Sequence, residues 1–71
     1  MTRDEWLEAF AKAAGVDPPT ADDIEALLEL AGVAAHASER TAAPITCWIA
    51  AVAGLPPADA LRLAQAIRSD D

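Results

Sequence analysis

The sequence predicts an all-α protein folded as a compact four-helix bundle, and two observations lead to this fold class. Alanine is the commonest residue and β-branched residues are few, which favours helices and leaves no alternating strand pattern of useful length. Glycine and proline residues then divide the chain into four segments. The predicted helices span residues 3–14, 21–37, 44–53 and 57–68, within a single domain (1–71) that ends in a short, frayed acidic tail.

Capping residues set the limits of the first two helices. Thr2 is the predicted N-cap of the first helix, Glu5 completes a capping box with it, and Gly15 ends the helix. Thr20 caps the second helix, whose first turn is acidic, as the positive end of a helix dipole favours. The caps therefore predict two helices joined by a short loop that contains two prolines.

The apolar residues of these two helices predict different packing. The first helix has a single apolar side, whereas the second has two apolar faces and a narrow polar strip. We therefore expect the second helix to be packed on both sides, by its own domain or by a second subunit. The apolar side of the first helix holds Trp6, Leu7, Phe10, Ala13 and Ala14; the two faces of the second hold Ile24, Leu27, Leu28, Ala31, Ala34 and Ala35, and Ala26, Leu30, Val33 and Ala37.

The third helix is predicted to begin at Pro44, because proline suits the first helical position, and to end before Gly54. Its bulky side is expected to be buried, with Trp48 as a core anchor whose replacement by alanine should leave the protein largely unfolded. Its other side is small, which predicts close approach of another helix and a central place in the bundle. The bulky side holds Ile45, Trp48, Ile49 and Val52, and the small side holds Thr46, Cys47, Ala50 and Ala51.

The fourth helix is predicted to begin near Pro57 and to be amphipathic. Its expected buried residues are Ala60, Leu61, Leu63, Ala64 and Ile67.

Composition excludes several classes of partner. The chain has 71 residues, with five Lys and Arg against twelve Asp and Glu, and a formal net charge of −7. Nucleic-acid affinity depends on clustered basic residues, so nucleic acids and anionic membranes are not expected partners. A chain this short buries a small core, which favours self-association or a protein partner.

Cysteine usage and the N-terminal sequence predict a cytoplasmic protein without a cofactor. Cys47 is the single cysteine, which excludes an internal disulfide and a multi-cysteine zinc site. The first residues lack the basic and apolar segments of a signal peptide. No residue spacing predicts a catalytic site, a metal site or a bound cofactor, so an enzyme is the less favoured interpretation.

The densest polar group lies between the second and third helices and has two interpretations. In one, His36, Arg40 and Thr46 form a binding site for a small anion or nucleotide, together with the free N–H groups that begin the third helix. In the other, which we favour, the segment is a structural lock in which Arg40 pairs with Glu39 or with the last carbonyls of the second helix. The lock predicts that replacing Arg40 with alanine destabilises the protein.

The second apolar stripe of helix two and the small side of helix three together predict an interface, either of a homodimer or with another protein. Its candidate residues are Ala26, Leu30, Val33, Ala37, Cys47 and Ala51.

The segment from His36 to Pro44 contains the pattern His-x-x-Glu-Arg followed by Ala-Ala-Pro. Three further features accompany it: a tryptophan and leucine near the start, a leucine-rich second helix, and a threonine followed by a glycine that ends the third helix. They correspond to Trp6 and Leu7, to Leu27, Leu28 and Leu30, and to Thr46 and Gly54.

With these features the chain resembles a small actinobacterial helical domain family of unknown function, found alone or fused to molybdenum-cofactor guanylyltransferase-like proteins. Thr41 stands where a proline is common in that family, and Cys47 where a threonine or a small residue is common. The resemblance implies a non-enzymatic accessory or interaction domain linked to molybdenum cofactor biosynthesis, and it transfers no catalytic residue.

Overall fold

A computed structural model describes residues 1–67 and confirms the all-α class, with four helices and no strand in that range. The helices are α1 (Arg3–Ala14), α2 (Ala21–Ala37), α3 (Ala42–Val52) and α4 (Pro57–Ala66). The predicted acidic tail and the predicted last residue of the fourth helix lie outside the described residues.

The bounds of α1 and α2 agree with the prediction because local capping determines them. The Glu5 N–H donates to Thr2 Oγ1 over 3.1 Å, and the Thr2 N–H donates to Glu5 Oε1 over 2.8 Å. Thr20 forms the same reciprocal pair with Asp23. Gly15 ends α1 with a φ of 80°, a left-handed conformation that glycine adopts without strain.

The start of α3 differs from the prediction by two residues. The helix begins at Ala42, so Pro44 is its third residue and not its first. The absent N–H of Pro44 costs nothing there, because the first N–H groups of a helix have no partner within the helix. Proline is therefore compatible with either start, and its position alone could not decide between them.

The core lies along α2, which packs against both α3 and α4. Leu30 is 1% exposed and contacts the buried Ala50 and Ala60. The central helix is therefore α2, and the prediction that the third helix is central is wrong. Side chains partly buried around this core are Leu27, Cys47, Leu55, Leu61 and Ala64.

The inward side of α3 is its small side, and the prediction that its bulky side is buried is wrong. Ala50 is 8% exposed, whereas Trp48 is 66% exposed. At 100° per residue Trp48 lies nearly opposite Ala50 on the helix. The small side chains let α3 lie close to α2, and this close contact turns the bulky residues outward.

In α1 the buried residue is Ala11, which lies outside the core cluster of Leu30, Ala50 and Ala60. Trp6 and Phe10 were predicted on the buried side, yet both are exposed, with their rings stacked at a centroid distance of 6.0 Å. Leu28, Leu63 and Ile67 are exposed as well, contrary to prediction. Each of these side chains is more than half exposed.

The molecular surface is large for the mass. The accessible area is 5502 Å² for a chain of 7.4 kDa, whereas a folded monomer of that mass typically exposes about 4,200 Å². The roughly 1,300 Å² of additional surface belongs to the chain as a whole.

Candidate functional site

The structure does not connect the three residues of the predicted anion site. His36 lies exposed in the last turn of α2, and Arg40 lies exposed in the following loop. Thr46 is half-buried, one helical turn before Ala50 and on the same side of α3. Among residues 1–67, no side-chain hydrogen bond or ion pair joins any two of them.

The backbone at the start of α3 offers few free donors to an anion. The Ala42 N–H donates to the Glu39 carbonyl over 2.9 Å, and the Ala43 N–H donates to the Arg40 carbonyl over 3.1 Å. Pro44 has no N–H to donate. The groups that bind anions at other helix N-termini are therefore already bonded or absent here.

The end of α2 is closed by Ser38, and the structure does not show the predicted lock through Arg40. The Ser38 hydroxyl donates to the Ala34 carbonyl over 2.8 Å, and the Ser38 N–H donates to the same oxygen over 3.1 Å. Within the described range, the ion pairs are Arg3 with Asp4 and Arg62 with Asp59. Neither involves Arg40 or Glu39.

The predicted interface residues occupy different environments. Leu30 lies within the core of its own chain, so its side chain is not free to cover a partner, and the half-buried Cys47 packs against that core. Ala26 and Val33 are half-buried, and Ala37 and Ala51 are exposed. The interface remains a prediction, and the surface best suited to it lies elsewhere.

The most distinctive surface is the apolar outer face of α3, formed by side chains that are each more than half exposed. The helix contains no charged residue, and this is the signal by which sequence reasoning could have found the surface. A solvent-facing helix normally carries charged residues on its outer side. The outer face of α3 consists of Ile45, Trp48, Ile49 and Val52.

A shallow cleft of about 220 Å³ lies between α1 and the loop that leads into α2. Asp4 and Glu8 contribute carboxylates to it, and the remaining lining is mostly apolar: Leu7, Pro18, Pro19, Ala21 and Ile24. The lining of this cleft includes no Ser, Thr, Cys, Lys or His side chain, so it holds no hydroxyl, thiol or amine nucleophile.

The family described as a domain of unknown function, DUF6457, matches residues 1–69. The chain belongs to this family. No curated protein and no solved structure matches the chain.

Membership of the DUF6457 family supplies no reaction or ligand, so the function of this member has to be argued from its surface. In the described part of the chain, no three His, Cys, Asp or Glu side chains are grouped as a metal site. None of the four helices is long and apolar enough to cross a membrane.

Proposed function

We propose that this chain is a non-enzymatic protein-interaction module, and the observation that carries the proposal is the exposed apolar outer face of α3. Isolated apolar side chains are common on protein surfaces, whereas contiguous patches are typical of interaction sites. Here four bulky residues of one short helix are all exposed. Tryptophan is also among the residues that contribute most binding energy at protein interfaces.

Site-specific photocrosslinking tests this proposal in the cells that make the protein. A photoreactive phenylalanine derivative at position 48 should yield a protein adduct heavier than the 7.4 kDa chain. The same group at Gln65, an exposed polar position of α4, is the matched control and should yield little adduct. If position 48 gives no more protein adduct than position 65, the proposal fails.

We further propose that the interaction takes place in the cytoplasm, in the context of molybdenum cofactor biosynthesis. The support for the molybdenum cofactor context is the sequence resemblance alone, and the support for the cytoplasm is the single cysteine, which fits a reducing compartment. Calorimetric titration of the chain with a molybdenum-cofactor guanylyltransferase should show binding that Trp48→Lys abolishes. Absence of binding to that enzyme would remove this setting and leave the interaction module itself intact.

Binding of a small anion at His36, Arg40 and Thr46 is the second candidate function. The exposed guanidinium of Arg40 favours it, whereas the occupied N–H groups of Ala42 and Ala43 oppose it. Titration with inorganic phosphate and with a guanine nucleotide, followed by amide chemical shifts around Arg40, distinguishes the two functions. Saturable shifts confined to this junction would favour the anion site.

A further inference from the structure

The cleft between α1 and the loop that leads into α2 combines an apolar floor with an acidic rim. The more buried lining residues are Leu7, Pro19 and Ile24, which are apolar, whereas Asp4 and Glu8 are exposed at the edge. Proline has a fixed φ, which restricts the backbone of the loop wall. A cleft with a restricted wall is largely formed before a partner binds, and this lowers the conformational cost of binding.

The two carboxylates lie on the side of α1 that faces the rest of the protein. At 100° per residue, Asp4 is about 20° and Glu8 about 60° from Ala11 around the helix. Ala11 is 5% exposed and marks the covered side. Acidic residues that only keep a helix in contact with water lie on its opposite, outward side. Asp4 and Glu8 therefore border a protein-lined concavity, where a ligand can reach them together with the apolar floor.

Most oxygen atoms of these carboxylates are available as acceptors. Arg3 contacts Asp4 through Oδ1 alone, with Nε and an Nη atom each 2.9 Å from it. Among residues 1–67, no ion pair involves Glu8, although Lys12 lies one turn further along α1. Within this range, Asp4 Oδ2 and both oxygens of Glu8 are therefore left to accept hydrogen bonds from a ligand.

The charge around the cleft determines the sign of that ligand. Asp22 and Asp23 directly follow the lining residue Ala21 in the first turn of α2, and they add to the negative charge of the rim. A cleft whose walls are apolar and whose charges have one sign attracts ligands of the opposite sign. The ligand that fits this cleft is therefore cationic.

The size of the cleft indicates a single side chain and not a whole small molecule. Its volume of about 220 Å³ is below the roughly 300–1,000 Å³ of pockets that enclose small molecules. Long basic side chains place their methylene groups on apolar surface and keep the charged end at a polar edge. Arginine suits carboxylates better than lysine, because its guanidinium donates two parallel hydrogen bonds to them.

We propose that this cleft is a docking site for an arginine side chain presented by a peptide segment of a partner protein. The methylene groups of the arginine lie on Leu7 and Ile24, and its guanidinium donates to Glu8 and to Asp4 Oδ2. This site is separate from the uncharged outer face of α3 and does not depend on the function proposed for that face.

A peptide array tests the site and its requirement for charge. The probes are octapeptides with a central arginine between randomised residues, and the matched probes carry citrulline, which has nearly the same shape without the charge. The best arginine probes should bind with a dissociation constant below about 1 mM. Their citrulline counterparts should bind at least about threefold more weakly, and 500 mM sodium chloride should weaken the binding of the arginine probes.

Three variants of the chain locate the binding, which amide chemical shifts measure by titration. Glu8→Gln should weaken binding of the best arginine probe at least about threefold. Glu29→Gln removes the same charge from an exposed position of α2 outside the cleft, so binding should stay within about twofold of wild type. Ala21→Phe keeps the charge but fills the cleft, and it should weaken binding at least about threefold.

Several results would overturn the proposal. Equal binding of arginine and citrulline probes would remove the role of charge, and equal effects of Glu8→Gln and Glu29→Gln would indicate attraction to the net charge alone. Unchanged binding by a folded Ala21→Phe would place the peptide elsewhere. Argininamide that binds as tightly as the peptides would indicate a site for small cations, and self-association that Glu8→Gln disrupts would assign the cleft to a second copy. Absence of binding by every probe would also contradict the docking site.

Discussion

At the scale of single residues, burial predicts that Leu30 contributes strongly to the stability of the monomer and that Trp48 contributes little. Leu30 is 1% exposed and Trp48 is 66% exposed. Leu30→Ala should cost about 2–5 kcal/mol, which is most of the stability of a domain this small. Trp48→Ala should cost about 1 kcal/mol or less when the protein is monomeric.

Urea unfolding followed by circular dichroism at about 1 µM protein measures both changes, because this low concentration limits any contribution from association. The small cost expected for Trp48→Ala differs from the prediction, made from the sequence, that this variant is largely unfolded. Equal losses of stability in the two variants would contradict the core that we describe.

The exposure of Arg40 gives a second prediction at this scale. The lock hypothesis predicts that Arg40→Ala loses about 1–3 kcal/mol, because buried acceptors would lose their donor. In the structure Arg40 is exposed, and Ser38 satisfies the Ala34 carbonyl at the end of α2. The unfolding free energy of Arg40→Ala should therefore lie within about 0.5 kcal/mol of the wild-type value. A loss above 1 kcal/mol would restore a structural role for this side chain.

At the scale of helices, the caps predict a contrast between two threonines. The Thr20 hydroxyl accepts a hydrogen bond from the Asp23 N–H, whereas Thr41 makes no side-chain cap at the start of α3. Thr20→Ala should therefore cost about 1 kcal/mol, and Thr41→Ala should cost much less. Thermal unfolding of the two variants side by side measures the difference, and similar melting temperatures would show that the cap of α2 contributes nothing.

The helices also show which part of the fold a sequence can reveal. Helix limits depend on neighbouring residues, such as the reciprocal bonds of Thr2 with Glu5, and could therefore be predicted closely. Which side of a helix is buried depends on residues that are distant in the sequence. The rule that bulky apolar side chains face inward assumes that the chain buries its own apolar surface. In α3 that assumption fails, because Ala50 faces the core and Trp48 faces outward.

The candidate site was harder to predict for the same reason. The polar junction around His36 and Arg40 stands out in the sequence because its neighbours on both sides are mostly apolar. The outer face of α3 is conspicuous only once its exposure is known. Before that, an uncharged helix is equally consistent with a buried position in the core.

At the scale of the whole molecule, the net charge and the self-association predicted from the sequence together predict the effect of salt. Each copy carries a formal charge of −7, so salt screens the repulsion between copies while leaving the apolar contact in place. Raising sodium chloride from 20 to 500 mM should therefore lower the dissociation constant. The melting temperature should rise with protein concentration, since dimer formation stabilises the folded chain by mass action.

Calorimetric scans at several protein and salt concentrations measure both effects. Trp48→Lys is the matched control, and its melting temperature should not depend on protein concentration. A wild-type melting temperature that is independent of concentration would contradict self-association.

The small side chains at the centre of the fold have a thermal consequence. The core cluster consists of Leu30, Ala50 and Ala60, and its two alanines bury far less apolar area than the leucines or aromatic residues of a typical core. Heat capacity rises on unfolding in proportion to the apolar area that becomes exposed. The isolated chain should therefore unfold with a heat-capacity increment below the roughly 0.9–1.1 kcal/mol/K that is typical of 71 residues. Its unfolding free energy should therefore curve less with temperature than is typical of a domain of this length.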